Sequence, residues 1–185
     1  MKKLSINDSL ETQRCILKLP QESQAEYMWN LITKDTTKYM IWSKWDTMDE
    51  TLKNIKDTQE KAKDWKEWQS AVYEKDTWIL IWRCWINKYN NEVPSCELGY
   101  WISENYYGKW IIPECVNRFL YYAFKESEFE KVVIRCDSQN QNSQKVALKC
   151  GFKQEWELLN HERIKWQLRD TIYFGITKEQ YLSQN

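Results

Sequence analysis

A chain of 185 residues, 42% of them apolar, is the length of one domain and has enough hydrophobic material for a full core. Its 27 Lys and Arg balance its 27 Asp and Glu, so no overall basic field exists to hold nucleic acid or an anionic membrane. No apolar run approaches the roughly 20 residues that span a bilayer. The opening Met1-Lys2-Lys3-Leu4-Ser5-Ile6-Asn7-Asp8 lacks the apolar stretch of a signal peptide, so a cytoplasmic protein is expected.

Arg14 to Leu19 reads as a short strand closed by Pro20, and Glu22 to Lys34 as a helix with Tyr27, Leu31 and Ile32 on one side. Thr47-Met48-Asp49-Glu50 fits a capping box opening an amphipathic helix to about Asp64, with Leu52, Ile55, Gln59 and Ala62 on its stripe. Gln69 to Glu74 and Ile79 to Asn87 read as strands joined by Lys75-Asp76-Thr77-Trp78, and Ser95 to Ser103 as a third. Helical periodicity runs from Ile111 to about Lys125 through Val116, Phe119, Leu120 and Ala123, with Pro113 tolerated in the first turn. Lys131 to Cys136 is a β-branched strand. Ser143 is placed to cap a helix through Lys149, ended by Gly151. Two strands surround Arg163 to Asp170, and Thr177 starts a terminal helix. No Gly/Ser linker or repeat intervenes, so residues 1–185 are read as a single domain. A strand–helix–strand unit from Ser95 to Cys136 implies a right-handed crossover and a parallel pair, and the hairpins imply antiparallel neighbours. The expected fold is α/β (α+β), a mixed, mostly antiparallel sheet of six or seven strands with helices on both faces.

Six cysteines, none spaced C-x-x-C and most in apolar segments, read as reduced core residues. His161 is the only histidine, which rules out a His-based metal centre, and no metal site is expected. Tryptophan occurs 12 times and glycine 4 times, where a chain of this length ordinarily holds about 13 glycines.

A strand running into Tyr107-Gly108-Lys109 and then a helix start is by itself a weak anion site, since the free N–H groups and dipole of a helix start favour phosphate. Its surroundings say more. Glu97-Leu98-Gly99-Tyr100-Trp101-Ile102, then Tyr106-Tyr107-Gly108-Lys109, then Pro113-Glu114 resemble the acetyl-CoA-binding core of the GNAT acetyltransferases, nearest the ribosomal-protein N-terminal acetyltransferase branch. Asn140-Gln141-Asn142-Ser143 resembles the family's Asn-x-x-Ser, and Lys149-Cys150-Gly151-Phe152 its helix end. Trp166 to Asp170 resembles its G-x-x-x-D. The likeness runs from about Arg14 to Ile176.

The resemblance implies an acyltransferase moving acetyl from acetyl-CoA to a primary amine, a protein or peptide N-terminus or a small amine. It places the thioester in a splay between strands Glu97–Ser103 and Lys131–Asp137. Backbone groups of Tyr100, Trp101 and Ile102 would pair with pantetheine. Tyr107, Gly108, Lys109, Trp110, Ile111 and Ile112 fall on the pyrophosphate loop. Amine acetylation needs a base, oxyanion donors and an acid for the thiolate. Glu97 is the expected base, directly or through water, Asn140 the group that bonds the pantetheine or orients the thioester, and Ser143 either a helix cap or the thiolate's acid. Tyr106 or Tyr107 could also supply a phenol. Each of these side chains has an ordinary structural role as its alternative.

Trp110 stands where the family's loop has glycine. Trp82 and Trp85 fall on the glycines of an I-G-x-x-G-I strand, Trp78 on a hairpin glycine, Trp156 before the last hairpin, and Trp166 in the G-x-x-x-D place. Restoring these six would bring glycine to ten, near ordinary usage. One explanation is a source codon, UGA, that means glycine in some bacterial lineages and is written here as tryptophan. Taken as genuine, Trp110 instead favours a catalytically impaired CoA- or ligand-binding module. An aromatic-rich sugar-binding protein is a further alternative, and it requires tryptophans gathered on one open face.

Overall fold

The computed structural model describes residues 4, 8–64, 66–90 and 92–184. The segment weighed above as a leader lies almost wholly outside them, as does Trp65.

Chain order begins with β1 (Ser9–Glu11), where one buried leucine between two exposed residues leaves no readable period. It pairs antiparallel with β2 (Cys15–Lys18), whose alternation buries Cys15 and Leu17. The first helix is shorter than its pattern: a 3₁₀ turn at Glu22–Gln24 leads into α1 (Ala25–Leu31), and Ile32 is already extended. Thr33 and Thr36 end it by hydrogen bonding each other's backbone N–H, which diverts the chain from helix. The capping box is present: Thr47 Oγ1 accepts from the Glu50 N–H, and Glu50 accepts from the Thr47 N–H, opening α2 (Met48–Lys63). Its buried face is Thr51, Ile55, Thr58 and Ala62. Gln59 of the expected stripe instead donates to the Pro20 carbonyl at 2.9 Å.

Next come β3 (Trp68–Glu74), β4 (Leu80–Asn90), β5 (Ser95–Ile102), α3 (Ile111–Tyr121, continued by a π-helical turn to Glu126), β6 (Lys131–Asp137), α4 (Gln141–Lys149), β7 (Lys153–Ile164), β8 (Gln167–Thr177) and α5 (Lys178–Gln184). They build one eight-stranded sheet in the order β1-β2-β3-β4-β5-β6-β8-β7. Every neighbour is antiparallel except β5 and β6. The sheet thus has one strand more than the six or seven read from the sequence allow, the addition being β1 at its edge.

Two cores sandwich the sheet. Ala25 and Met28 of α1, Ile32 just after it and Ile55 of α2 pack on Ala71, Tyr73 and Trp101. On the opposite face Val116, Phe119, Leu120 and Ala147 of α3 and α4 join Leu98, Val132, Ile134 and Phe174. Among the described residues no helix is long and apolar enough to cross a membrane.

The tryptophans set apart above behave unusually. Five non-glycine residues among those described have a left-handed φ: Trp78 (57°), Trp110 (60°), Asn160 (49°), Lys165 (47°) and Trp166 (70°). Asparagine tolerates this region, but a bulky side chain there is an outlier. Trp78, Trp110 and Trp166 are all exposed, at 59%, 61% and 89%, so no packing explains their backbone. Trp156 follows a bulge between Gln154 and itself. On β4, Trp82 is fully buried among residues packed by α3, with its indole N–H unpartnered among the described residues. Trp85 lies on the other face, its ring so close to Gly99 that a β-carbon there would fall 2.3 Å from Cε2. The exposed tryptophans stand in separate turns and a bulge rather than as one stacking platform.

Candidate active site

The parallel pairing of β5 and β6 consists of Ser95 with Lys131, Cys96 with Val132 and Glu97 with Val133. Beyond these, Leu98–Ile102 and Ile134–Asp137 run on without pairing to each other, although each strand keeps its outer neighbour. Two inward edges of backbone N–H and C=O therefore face a gap and need partners.

Two cavities reach this gap from opposite sides. One, of about 750 Å³, is lined by Tyr100, Trp101, Ile102, Tyr107, Gly108, Trp110, Ile111, Ile112, Asn140 and Ser143, ten of the expected cofactor positions. The other, of about 540 Å³, lies beneath α2 and the segment 39–45 and contains Glu97. Tyr100, Trp101, Asn140 and Ser143 line both. The expected residues therefore converge, with one exception. Lys109 does not line either cavity: its ammonium sits 4.4 Å from the centroid of the Tyr106 ring, and its carbonyl accepts from Arg14 Nη1 at 2.9 Å. Arg14 also pairs with Glu114 at 2.7 Å, tying the loop and α3 to β2.

In the larger cavity Gly108 has φ 75° and open space where a β-carbon would go. Trp110 is the N-cap of α3, and helix geometry leaves the N–H groups of Ile111 and Ile112 without intrahelical acceptors. Pro113 in the first turn removes a donor that would also lack one. This cradle suits a diphosphate, and the ungoverned strand edges suit an amide-bearing arm, so the residues fit the co-substrate that the sequence implies. The misfit is the Trp110 indole at the cradle, with Lys149 Nζ 3.2 Å above its ring centroid.

At the junction the structure corrects one expectation. Asn140, not Ser143, is the N-cap of α4: its Oδ1 accepts from the Ser143 N–H at 3.1 Å. Ser143 is released from capping, and its hydroxyl lies 3.0 Å from the Tyr100 phenol. Burial pushes that phenol well above its ordinary pKa, so it holds its proton. The Tyr100 side chain is a site group that sequence reasoning missed, because strand alternation reads it as core. Tyr106 and Tyr107 lie at the outer end of the larger cavity.

On the other side, Glu97 accepts from Arg135 Nε at 2.8 Å, and Arg135 also pairs with Glu162 of β7. Burial acts to lower the Arg135 pKa, but the hydrogen bond and charge of Glu97, with the charge of Glu162, outweigh it and raise it. Among the described residues no group of three or more His, Cys, Asp or Glu is placed to hold a metal ion.

A family model described as an acetyltransferase (GNAT) domain matches residues 14–153. An uncharacterised N-acetyltransferase, p20, of Bacillus licheniformis is 23% identical over 94% of this chain and 98% of its own. The ribosomal-protein-serine acetyltransferase of Escherichia coli is 33% identical over 31% of this chain and 32% of its own. Among solved structures, the RimL ribosomal-protein α-N-acetyltransferase in complex with coenzyme A superposes with a TM-score of 0.84 at 16% identity, covering 92% of this chain and 98% of that one.

Proposed function

Because the chain belongs to the GNAT acetyltransferase family, and is an acyltransferase that moves acetyl from acetyl-CoA to an amine, we propose that its acceptor is a peptide or protein N-terminus and that the reaction runs where its two cavities meet. The observation that carries this is the shared lining of Tyr100, Trp101, Asn140 and Ser143 between a cavity with a phosphate cradle and one holding a carboxylate. The names of the relatives support the ribosomal-protein-like branch, six unpaired cysteines support a cytoplasmic protein, and one continuous sheet supports a single domain.

Backbone groups of Tyr100, Trp101 and Ile102 hold the pantetheine arm as an added strand would. Gly108, Trp110, Ile111 and Ile112 face the pyrophosphate. Glu97 takes the proton of the incoming ammonium, steered by Arg135. Asn140 is fixed by its cap bond and presents its amide N–H₂ to the thioester. Ser143 donates to the departing thiolate, and the Tyr100 phenol, which keeps its own proton, holds the Ser143 hydroxyl in place at 3.0 Å.

The test is thiol release from acetyl-CoA across a panel of peptide and small-amine acceptors. Turnover favouring peptide N-termini supports the reading, and turnover confined to small amines removes the acceptor proposal. Asn140→Ala is expected to weaken acetyl-CoA binding and turnover together, since it removes both the cap and the amide. Loss of about 1 kcal/mol of stability with unchanged kinetics would reduce it to a cap. A binding module without catalysis is the second reading, favoured by the indole and Lys149 at the cradle. Trp110→Gly is expected to tighten acetyl-CoA about tenfold, roughly 1.4 kcal/mol, by taking the indole out of the phosphate cradle. Titration calorimetry reads this directly, and unaltered affinity would leave the second reading standing.

A further inference from the structure

The acceptor cavity is lined by four carboxylates and three cations, and nearly all are matched. Glu67 pairs with Lys61 at 3.2 Å, Glu97 and Glu162 share Arg135, and Asp137 accepts from Arg169 at 2.7 Å. Arg83 of β4 is the exception. It is 3% exposed, and among the described residues its guanidinium meets only neutral partners: Asn54 Oδ1 at 2.7 Å, Gln69 Oε1 at 2.6 Å and Thr58 Oγ1 at 3.1 Å, with Met28 Sδ at 3.9 Å. Its Nε–H is buried and has no acceptor among the described residues. The carboxylate whose charge it feels, Glu67, is already taken by Lys61 and by Gln69 Nε2 at 2.7 Å. Buried charges are ordinarily paired, because a guanidinium removed from water without a counter-charge is costly.

Two further polar atoms on the same cavity wall are buried without partners among the described residues, Asn87 Oδ1 and Asp137 Oδ2. Both are acceptors, and Arg83 Nε is a donor. The unmet groups thus call for a ligand with a cationic end and an anionic end. An amine acceptor supplies the first.

Resting on the amine-acetylation reading above, we propose that Arg83 is a specificity-determining residue that binds a carboxylate carried by the acceptor. Asn54 and Gln69, which line the same cavity, take part. Their carbonyls hold the guanidinium while the site is empty. When the acceptor enters, its carboxylate accepts from the guanidinium, and the Asn54 amide N–H₂ is placed to donate to the same oxygens, while Gln69 keeps its bond to Glu67. Arginine suits this task, since its planar fork matches a carboxylate with two parallel hydrogen bonds.

The experiment uses the full chain and tetrapeptide acceptors with a free N-terminal serine and an amidated C-terminus. Aspartate is walked through positions two, three and four, each peptide paired with its asparagine counterpart. At the favoured position the aspartate peptide is expected to show a KM at least tenfold lower than its partner, with the KM for acetyl-CoA unchanged. Arg83→Gln should erase the difference. If that variant does not fold, Asn54→Asp replaces it: the new carboxylate pairs with Arg83 internally, so the aspartate preference falls while the melting temperature rises. Equal kinetics for every aspartate and asparagine pair overturn the proposal and leave acetyl transfer intact. If no peptide is acetylated, the peptide-acceptor reading fails. Calorimetric titration of the same pairs into the protein still decides the inference, and equal affinities overturn it.

Discussion

Glycine at positions 78, 110 and 166 together is expected to raise the melting temperature by about 6–12 °C. All three tryptophans have a left-handed backbone, at φ 57°, 60° and 70°, and all three are exposed. A left-handed conformation costs a residue with a β-carbon about 1–2 kcal/mol, partly offset by the greater freedom glycine gives the unfolded chain, about 0.4–1 kcal/mol. The net is roughly 1 kcal/mol per site. A chain of this size gains about 2–4 °C for each kcal/mol. At Lys165-Trp166 the two successive positive φ values belong to a two-residue hairpin turn of the kind that favours glycine at its second position. Trp82 poses a different question. Its indole fills core space, and deleting it loses packing worth about 3–5 kcal/mol unless α3 settles onto the sheet. Ending the burial of an orphan indole N–H returns about 1–3 kcal/mol. The reading of all six positions as recoded glycine expects the six-fold variant also to melt above the parent. A triple variant that melts higher beside a six-fold variant that melts lower would confine the misfit to the turns. UGG codons at Trp82, Trp85 and Trp110 in the source gene would end the recoding explanation outright.

Glu97→Gln is expected to lower kcat by about a hundredfold or more, the usual worth of a positioned general base, while the affinity for acetyl-CoA changes little. The substitution keeps the shape of the side chain and its contact with Arg135, so the site should not collapse. It lies on the acceptor side of the gap rather than among the residues of the phosphate cradle. A stopped-time assay of thiol release across pH, run beside a binding titration, separates the two effects. Unchanged turnover at every pH would move the base elsewhere, with Asp137 the next carboxylate on the same wall.

The order of helices and strands was legible because its punctuation is local. Thr47 with Glu50, Pro113 and Gly151 each act within a few residues, and each stands in its expected place. The β1 strand was not legible, since three residues with one apolar side chain carry no period. The cap of α4 was misread by three residues because Asn140 and Ser143 are both good caps, and what chose between them was the phenol of Tyr100, distant in sequence. The cofactor side of the site could be read from a contiguous loop. The acceptor side could not, because Arg83, Asn87, Glu97, Asp137 and Glu162 come from β4, β5, β6 and β7 and meet only through the sheet order. The glycine places were readable from resemblance alone, and three of them turn out to hold the left-handed tryptophans.

The three-residue contact between β5 and β6 makes the sheet two leaves on a hinge. One leaf is β1 to β5 and the other β6 to β8, and each is laced internally by antiparallel rungs. The acceptor's chemistry is divided between them, with Glu97 and Arg83 on the first leaf and Arg135, Asp137 and Glu162 on the second. An amide-bearing arm laid in the gap supplies the missing rungs and acts as a rivet, stiffening the joint by its own binding free energy. Before it is seated, no main-chain rung crosses the gap beyond Glu97 and Val133, and side chains alone bridge it, through the Glu97–Arg135 ion pair and the Tyr100–Ser143 hydrogen bond. The expected consequence is an order of entry, acetyl donor first, which binding titrations of the acceptor with and without CoA would read as tighter acceptor binding when CoA is present.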